Sequence, residues 1–438
     1  MARLIIHGGR ALKGTIHLGG AKNSSFKLMI ASLLALGVTR LKNVSRIKEV
    51  EYVSQIITAL GGRVKLEASH TLTIDTTKIN RETIPAEFGA VSRASSLFLG
   101  PLLARFGRAV VPLPGGDAIG QRPLDRHLGA LTALGVKVES LPDRIEARAE
   151  KLTGATYHFC KPSHTATEEA VMAAVLAQGK TCLTNCAQEP EVDDLVNFLN
   201  QMGAQIERQQ DQLIITGVKE LHPVEFTVMP DRNQAVSYAV AALCTRGEVI
   251  IGNANKTHLA AFLAKLNEAG AGVEATPAGI RFFWQRPLIA TDITTQPYPG
   301  FMTDWQPLWM VLMTQATGTA KIIEAVFTHR FQVVDDLTAM GAQIEFFDPK
   351  PKNPESFYNF NLNNDEAGNL HGLKVIGPRP LRGGEFDVKD IRNGATLAIA
   401  GLAATGTTVL NQAELIDRGY EDFAGQLAGL GAKIEQLE

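Results

Sequence analysis

The stretch Leu60-Gly61-Gly62-Arg63-Val64 decides the fold, because its pattern recurs through the whole chain. The pattern is an apolar residue, a glycine, a small residue, any residue and then an aliphatic residue. It returns at Leu134–Val138, Met202–Ile206, Ala269–Val273, Met340–Ile344 and Leu430–Ile434. The intervals are roughly 70 residues, so the sequence predicts six structural repeats.

A second glycine marks the same six units. It precedes a run rich in β-forming residues and stands at Gly37, Gly107, Gly179, Gly247, Gly318 and Gly406. Helical periodicity precedes the glycines of both sets, for example over 24–36, 47–60, 193–202 and 234–244, and glycine is the usual left-handed residue after a helix. Each unit is therefore predicted to hold two helices and several strands, and six units suggest two α/β domains of three units each.

Composition excludes several classes of protein. The chain has 438 residues, of which 45% are hydrophobic and 20% charged, with 43 Lys and Arg against 45 Asp and Glu. This near-neutral balance gives no general attraction to nucleic acid or anionic lipid. The longest apolar stretch, near 28–38, is too short to span a bilayer, and the first residues lack a signal-peptide core. No nucleic-acid partner, membrane anchor or export is expected.

The four cysteines and one long interval complete the outline. The cysteines form no Cys-x-x-Cys pair and lie in apolar segments, so we expect buried free thiols and a reducing cytoplasm. The last interval between repeats is about 20 residues longer than the others because of an insertion at about 346–372. Its Pro, Asn and Asp content is typical of a solvated surface loop.

Cations placed just before helices are the first chemical signal. A helix start carries unpaired N–H groups and partial positive charge, so a cation there is unfavourable unless an anion is bound. Lys22, in Gly20-Ala21-Lys22-Asn23, and Arg122, before Pro123, are therefore candidate anion ligands. Taken alone, each is equally consistent with a solvated cation, and Thr303-Asp304 with an ordinary helix cap.

The combination of these motifs resembles the UDP-N-acetylglucosamine enolpyruvyl transferase family. The resemblance runs through the whole chain in order, and the Pro-Gly-Gly loop followed by Arg-Pro is its most specific part. The segments that carry it are 20–23, 93–95, 99–107, 113–123, 189–191, 230–232, 303–304, 330–331 and 417–420.

The resemblance implies a fold and its domain boundaries. The family has an α/β fold, a two-domain inside-out α/β barrel with six βαβαββ repeats, three per domain, and an active site between the domains. One domain would span 22–230 and carry a lid loop at 112–123. The other would be discontinuous, comprising 1–21 and 231–438 with the insertion.

The resemblance also implies an activity. The family transfers the enolpyruvyl group of phosphoenolpyruvate to the 3′-hydroxyl of UDP-N-acetylglucosamine and releases phosphate, in the bacterial cytoplasm and without metal or cofactor. The residues that match its phosphoenolpyruvate ligands are Lys22, Arg122, Arg392 and Arg418. Those that match its UDP-sugar ligands are Asn23, Arg93, Arg122, Pro123, Leu124, Asp125, Lys161, Ser163, Asp304 and Val326. Asp304 would accept the hydroxyl proton, with Lys22 and Asp117 as the other catalytic residues.

Asp117 departs from the usual family residue. Most members carry Cys here, where it protonates the methylene carbon and is alkylated by the epoxide drug fosfomycin. A carboxylic acid can deliver the same proton if a dehydrated site raises its pKa, but it is a poorer epoxide nucleophile than a thiolate. The sequence therefore predicts fosfomycin resistance; the alternative is that Asp117 merely forms a turn after Gly-Gly.

Two other segments depart from the family pattern and leave the acceptor open. They are 161–165, where His164 either binds the diphosphate or uridine or caps a helix, and 233–236, which lacks a usual carboxylate and glycine. The alternatives are a divergent paralogue using another nucleotide sugar and a silent paralogue that only binds one. The sister enzyme that uses shikimate 3-phosphate is disfavoured, because its own glycine-rich loop and Lys-Ser motif are absent.

Overall fold

The computed structural model describes residues 2–89, 92–115 and 119–437. The helices within these residues are α1 Lys22–Ala31, α2 Lys48–Ala59, α3 Leu99–Phe106, α4 Asp125–Ala133, α5 His164–Ala174, α6 Pro190–Gln201, α7 Arg232–Cys244, α8 Ala260–Ala269, α9 Gln306–Thr314, α10 Val334–Ala339, α11 Pro354–Phe357, α12 Ile391–Ala403 and α13 Phe423–Gly429. The strands are β1 Arg3–His7, β2 Lys13–Ile16, β3 Val38–Lys42, β4 Arg63–Leu66, β5 Leu72–Asp75, β6 Arg108–Pro112, β7 Lys137–Ser140, β8 Arg144–Arg148, β9 Thr156–His158, β10 Lys180–Thr184, β11 Gln205–Gln209, β12 Gln212–Thr216, β13 Glu225–Thr227, β14 Glu248–Ile251, β15 Gly272–Thr276, β16 Gly279–Phe283, β17 Ile293–Thr294, β18 Gly318–Ile323, β19 Gln343–Phe347, β20 Gly372–Gly377, β21 Glu385–Asp387, β22 Thr407–Asn411 and β23 Lys433–Leu437.

The chain divides into two compact units. Unit 1 comprises Met1–Gly19, Ala118–Gln121 and Pro230–Glu438, and unit 2 comprises Gly20–Asp117 and Arg122–Met229. Of the loop 112–123, residues 119–121 are grouped with unit 1. The reason is local: the amide of His329 donates to the carbonyl of Ile119 at 3.2 Å.

The sheets of unit 1 share one strand order. They are β2-β14-β16-β15, β17-β18-β20-β19 and β21-β22-β1-β23. In each, the first pair is parallel and the next two pairs are antiparallel. One local pattern, a short parallel edge strand next to three antiparallel strands, is thus built three times from three parts of the chain.

Unit 2 repeats this order twice in full and once in reduced form. The full sheets are β13-β3-β5-β4 and β9-β10-β12-β11. The third, β6-β8-β7, has three strands, and a parallel bridge between Thr83 and Val110 occupies the position of the missing edge strand. Three sheets in each unit confirm the six predicted repeats and their division into threes.

The marker glycines lie where the repeat requires them. All six glycines of the first pattern have positive φ angles, between +79° and +105°, at Gly61, Gly135, Gly203, Gly270, Gly341 and Gly431. Of the second set, Gly247 alone among the six lacks a positive φ; Arg246 takes it instead, at +55°. A Cβ on Gly247 would lie 2.1 Å from the Leu12 carbonyl oxygen, so the close approach of the backbone requires glycine there.

Each unit buries helices inside its sheets. In unit 1, all thirteen residues of α7 and all nine of α9 are buried, and both helices pack with α12. In unit 2, α5 packs between α3 and α6, and its residues from Ala166 to Ala174 are all buried. These helices have no solvent-facing polar side, so their few polar residues, such as Arg232 in α7 and Glu168 in α5, are buried as well. None of the helices described is long and apolar enough to cross a bilayer.

Two details of the sequence analysis need correction. Several helices begin earlier than the apolar periodicity indicated, because polar caps and a first-turn proline precede it; α7 starts after Asp231 and α6 starts at Pro190. Among the cysteines, which are all free, Cys186 and Cys244 are buried as expected but Cys160 is exposed.

Candidate active site

Asp304 holds two guanidinium groups in unit 1. It lies in the 3₁₀ turn Thr303–Trp305 that leads into α9. Arg330 Nη2 donates to Asp304 Oδ1 at 2.6 Å, and Arg392 Nη2 donates to Asp304 Oδ2 at 3.0 Å. The Asp304 side chain keeps 21% of its surface exposed while that of Arg330 keeps only 4%. The carboxylate is therefore fixed in direction and still partly accessible.

Arg392 is the best-supported cation of the candidate site. It follows the cap Asp390, whose Oδ1 accepts hydrogen bonds from the amides of Arg392 and Asn393 at 2.7 and 2.8 Å. Its Nη1 donates to Tyr420 Oη at 3.0 Å. Burial acts to lower the pKa of Arg392, but the charges of Asp304 and Tyr420 outweigh it and raise the pKa above its ordinary value. The guanidinium stays charged and suits an anionic ligand.

The altered segment at 233–236 supports this site from within unit 1. Asn233 Oδ1 accepts a 2.8 Å hydrogen bond from the indole of Trp305, the neighbour of Asp304. Gln234 Nε2 donates to the carbonyl of Gly419 at 3.4 Å, next to Arg418. These two departures from the family pattern are thus buried structural contacts, and Arg418 lies half-buried at the end of the 3₁₀ segment Ala413–Arg418.

Val326 lies in the turn that follows β18. Its amide donates to Glu324 Oε1 at 2.8 Å, and the amide of Phe327 donates to the same oxygen at 3.0 Å. Glu324 Oε2 accepts from Thr303 Oγ1 at 2.9 Å. Burial raises the pKa of Glu324. One buried carboxyl group therefore joins the turn that carries Val326 to the residue before Asp304.

In unit 2, Lys22 opens α1 beside an acidic residue. Its Nζ lies 3.8 Å from Glu49 Oε2, and Glu49 Oε1 accepts a hydrogen bond from Ser92 Oγ. Ser92 in turn caps the 3₁₀ segment Arg93–Phe98. Lys22 and Arg93 are thus linked through Glu49 and Ser92, and Asn23 follows Lys22 half-buried in the first turn.

Arg93 and Arg122 lie close enough to repel each other. Burial, and then the charge of Arg122, lowers the pKa of Arg93 to about 10, and Glu169 opposes this shift. Glu169 is fully buried, and burial raises its pKa well above the ordinary value while the amide of Gly100 donates to it at 3.2 Å. Two neighbouring guanidiniums are a suitable arrangement for binding an anion such as phosphate.

The start of α4 carries the next group of predicted ligands. Pro123 and Asp125 are exposed and Leu124 is half-buried, and Asp125 is the first residue of the helix. Arg126 Nη1 donates to the carbonyl of Pro162 at 3.4 Å, which ties this helix start to the altered segment 161–165.

Within segment 161–165 the structure excludes one of the two alternatives for His164, the helix cap. Ser163 is the cap of α5, accepting from the amide of Ala166 at 3.4 Å, while Lys161 is half-buried. His164 does not cap the helix; its Nε2 lies 2.8 Å from Lys27 Nζ and 3.2 Å from Glu168 Oε1. Ser163, with the β-region backbone typical of a cap, takes that position instead.

Sequence reasoning missed the Lys27 to Glu168 ion pair. Lys27 Nζ lies 2.5 Å from Glu168 Oε2, and both side chains are almost fully buried. Burial lowers the pKa of Lys27, and the charge of Glu168 opposes this shift. The signal available was a lysine inside the apolar run of α1 and adjacent acids inside the apolar run of α5. Asp117, the predicted general acid, lies outside the described residues.

The comparisons with known proteins match the whole chain. Residues 6–427 match the EPSP synthase (3-phosphoshikimate 1-carboxyvinyltransferase) family. A protein from Desulfatibacillum aliphaticivorans named UDP-N-acetylglucosamine 1-carboxyvinyltransferase is 38% identical, and the match covers 100% of both chains. A protein from Carboxydothermus hydrogenoformans named UDP-N-acetylglucosamine 1-carboxyvinyltransferase 1 is 42% identical, and the match covers 100% of this chain and 99% of the relative.

Solved structures agree with this result. The enolpyruvyl transferase NikO from Streptomyces tendae superposes with a TM-score of 0.84 at 25% identity, covering 99% of this chain and 98% of its own. An EPSP synthase from Acinetobacter baumannii, at 19% identity, covers 100% of both chains with a TM-score of 0.72 and thus has the same fold. The chain therefore belongs to the enolpyruvyl transferase family, the carboxyvinyl-transferring enzymes that its sequence motifs resemble.

Proposed function

We propose that this enzyme transfers the enolpyruvyl group of phosphoenolpyruvate to the 3′-hydroxyl of UDP-N-acetylglucosamine and releases phosphate. The observation that carries the proposal is the identity of 38–42%, along the whole chain, to relatives named for this acceptor. The reaction is the first committed step of peptidoglycan precursor synthesis, so we place the protein in bacterial cell-wall biogenesis, cell shape and division, in the cytoplasm.

The donor would be held by cations. Phosphoenolpyruvate carries a phosphate and a carboxylate on adjacent positions, and arginine binds such oxyanions through paired donors. Lys22 and Arg122 would bind the phosphate, with Arg418 shared between phosphate and carboxylate, and Arg392 would bind the carboxylate. The raised pKa of Arg392 and the mutual repulsion of Arg93 and Arg122 support this assignment.

The acceptor would contact the residues that match the UDP-sugar ligands of the family. The proposed ligands of UDP-N-acetylglucosamine are Asn23, Arg93, Arg122, Pro123, Leu124, Asp125, Lys161, Ser163, Asp304 and Val326. The internal contacts of Asn233 and Gln234 support retention of the acceptor, because two of the sequence departures that raised doubt are used inside unit 1 and need no new ligand.

The chemistry requires two opposite proton transfers. In the addition step the 3′-oxygen attacks the C2 carbon of the donor, Asp304 takes the hydroxyl proton, and Asp117 gives a proton to the methylene carbon. In the elimination step that carbon loses a proton and the C2–O bond to phosphate breaks. Asp304 suits the first transfer because Arg330 and Arg392 fix its direction.

Asp117 in the loop also gives a pharmacological proposal. A carboxylate is a weaker nucleophile toward an epoxide than a thiolate, so fosfomycin should fail to inactivate this enzyme. Incubation with excess drug should leave the rate of phosphate release unchanged with time, and an Asp117→Cys variant should become sensitive. Time-dependent inactivation of the natural enzyme would contradict the proposal.

The experiment that tests the function is phosphate release from phosphoenolpyruvate with UDP-N-acetylglucosamine, other UDP-sugars and shikimate 3-phosphate in parallel. We expect phosphate release with UDP-N-acetylglucosamine and with no other acceptor. The Asp117→Ala variant should lose this activity, and the control Asp335→Asn, at an exposed residue, should retain it. Release with a different sugar only would identify a paralogue with another acceptor. Silence with every acceptor would indicate a protein that binds without turnover.

A further inference from the structure

The insertion between β19 and β20 is only partly the solvated loop that the sequence predicts. Its segment 348–371, named here the brace, contains α11 and two aromatic residues, Tyr358 and Phe360, that are only 6% and 7% exposed. Their rings stack with centroids 4.7 Å apart, and with Ala325 they form a small apolar cluster separate from the main core of unit 1. A fully solvated loop does not bury aromatic side chains in this way, so this part of the insertion is packed against the rest of unit 1.

The brace holds the turn that follows β18. This turn, 324–330, is named here the acceptor turn because it carries Val326. The amide of Asn359 donates to the carbonyl of Ala325 at 2.7 Å, and Asn369 Nδ2 donates to the carbonyl of Thr328 at 2.6 Å. The amide of Glu324 donates to the carbonyl of His371 at 2.9 Å. Three hydrogen bonds thus fasten the turn from its beginning to its centre.

Asn369 is itself fixed by neighbours within the brace. Asp365 Oδ1 accepts from Asn369 Nδ2 at 3.0 Å, and Asp365 Oδ2 accepts from His371 Nε2 at 2.7 Å. The His371 ring lies 5.1 Å from Tyr358 and 4.9 Å from Phe360. The donor to the acceptor turn is therefore held by a network that rests on the aromatic cluster.

The acceptor turn is restrained on its other side by the candidate site. Glu324 binds the amides of Val326 and Phe327 and the hydroxyl of Thr303. At its far end Arg330 donates to Asp304 at 2.6 Å. A displacement of the turn would therefore move both a proposed sugar ligand and a guanidinium that orients the proposed base.

We propose that the brace is a positioning element that fixes the acceptor turn, so that Asn369, Tyr358 and Phe360 set the acceptor affinity without touching substrate. This inference rests on the proposed function for its substrate. Within it, Asn369 acts through the Thr328 carbonyl on Val326 and Arg330.

The test compares Asn369→Ala with Lys352→Ala, a control on an exposed side chain of the same segment. Asn369→Ala should raise KM for UDP-N-acetylglucosamine about fivefold, the factor that one lost hydrogen bond gives, with a smaller change in KM for phosphoenolpyruvate. Amide hydrogen exchange over 324–330 should accelerate by a similar factor. Asn369→Gln, which keeps an amide donor, should recover part of both effects, and Lys352→Ala should match the natural enzyme.

Two results would overturn the proposal. One is unchanged exchange over 324–330 in Asn369→Ala. The other is a lower Tm with reduced kcat and unchanged KM, because that pattern reports general destabilisation and no positioning. If the natural enzyme fails to use UDP-N-acetylglucosamine, the proposed function fails; the exchange comparison, together with KM for whichever sugar is used, then still decides whether the brace positions the turn.

Discussion

Acidification should destabilise the protein through one buried histidine. His127 lies in α4, is only 3% exposed, and its Nε2 lies 2.9 Å from Thr165 Oγ1. Burial, followed by the charges of Arg93 and Arg126, lowers its pKa to about 3 from an ordinary value of 6.5. The folded state therefore keeps this ring neutral at a pH at which the unfolded chain would protonate it.

The sign and size of the effect follow from this difference. The unfolded state binds the proton below about pH 6.5 and the folded state does not, so the free energy of unfolding falls as the pH falls. Integrated from pH 7 to pH 5, the contribution of His127 is about 2 kcal/mol. It disappears above the ordinary pKa, where the ring is neutral in both states.

Urea unfolding of the natural protein, of His127→Gln and of the exposed control His222→Gln at these two pH values measures the effect. His127→Gln loses the bond to Thr165 and should be less stable at pH 7, but its loss of stability on acidification should be smaller by about 2 kcal/mol. His222→Gln should behave like the natural protein. An equal acid-induced loss in all three proteins would refute the reasoning.

Three further substitutions test other contacts. Lys27→Met should lower the free energy of unfolding by about 3–5 kcal/mol, because it leaves Glu168 buried without its cation, and the double variant with Glu168→Leu should recover much of that loss in urea titrations. Asp390→Ala should cost about 1 kcal/mol in the same assay, because it removes the cap at the amide of Arg392. Asp304→Asn should lower kcat for phosphate release at least about 100-fold and should also lower Tm, because the neutral amide removes the countercharge next to the buried guanidinium of Arg330; a smaller rate loss would contradict its role as base.

The fold was predictable because each repeat is marked by residues whose conformation depends on the local backbone. Glycines with positive φ after helices, such as Gly61 and Gly341, are required by backbone geometry alone and can be read without knowing any tertiary contact. Gly247 shows the limit of that reasoning, because glycine is required there by the close approach of the Leu12 carbonyl, more than 200 residues away in the chain.

The candidate site was predictable only where its residues stand in distinctive motifs. Asp304 and Arg392 could be selected from the sequence, but the bridge between them could not, because it joins different repeats. The insertion was misjudged for a similar reason: Tyr358 and Phe360 are isolated among polar residues and turn formers, and their burial depends on the distant Ala325. Contacts between residues so far apart in the chain are set by the topology of the fold, so composition and periodicity do not predict them.

Apart from residues 119–121, which are grouped with unit 1, the chain passes from unit 1 into unit 2 after Gly19 and returns to unit 1 at Pro230. In unit 2 the amide of Ala21 donates to the carbonyl of Met229 at 2.7 Å, and in unit 1 the amide of Asp231 donates to the carbonyl of Gly19 at 3.0 Å. Residues 20–229 are therefore an insertion in the chain of unit 1, and hydrogen bonds hold the two ends of this insertion close together. A direct peptide link from Gly19 to Pro230 would restore an unbroken chain in unit 1, and the inserted residues could be circularly permuted at the same place with little strain.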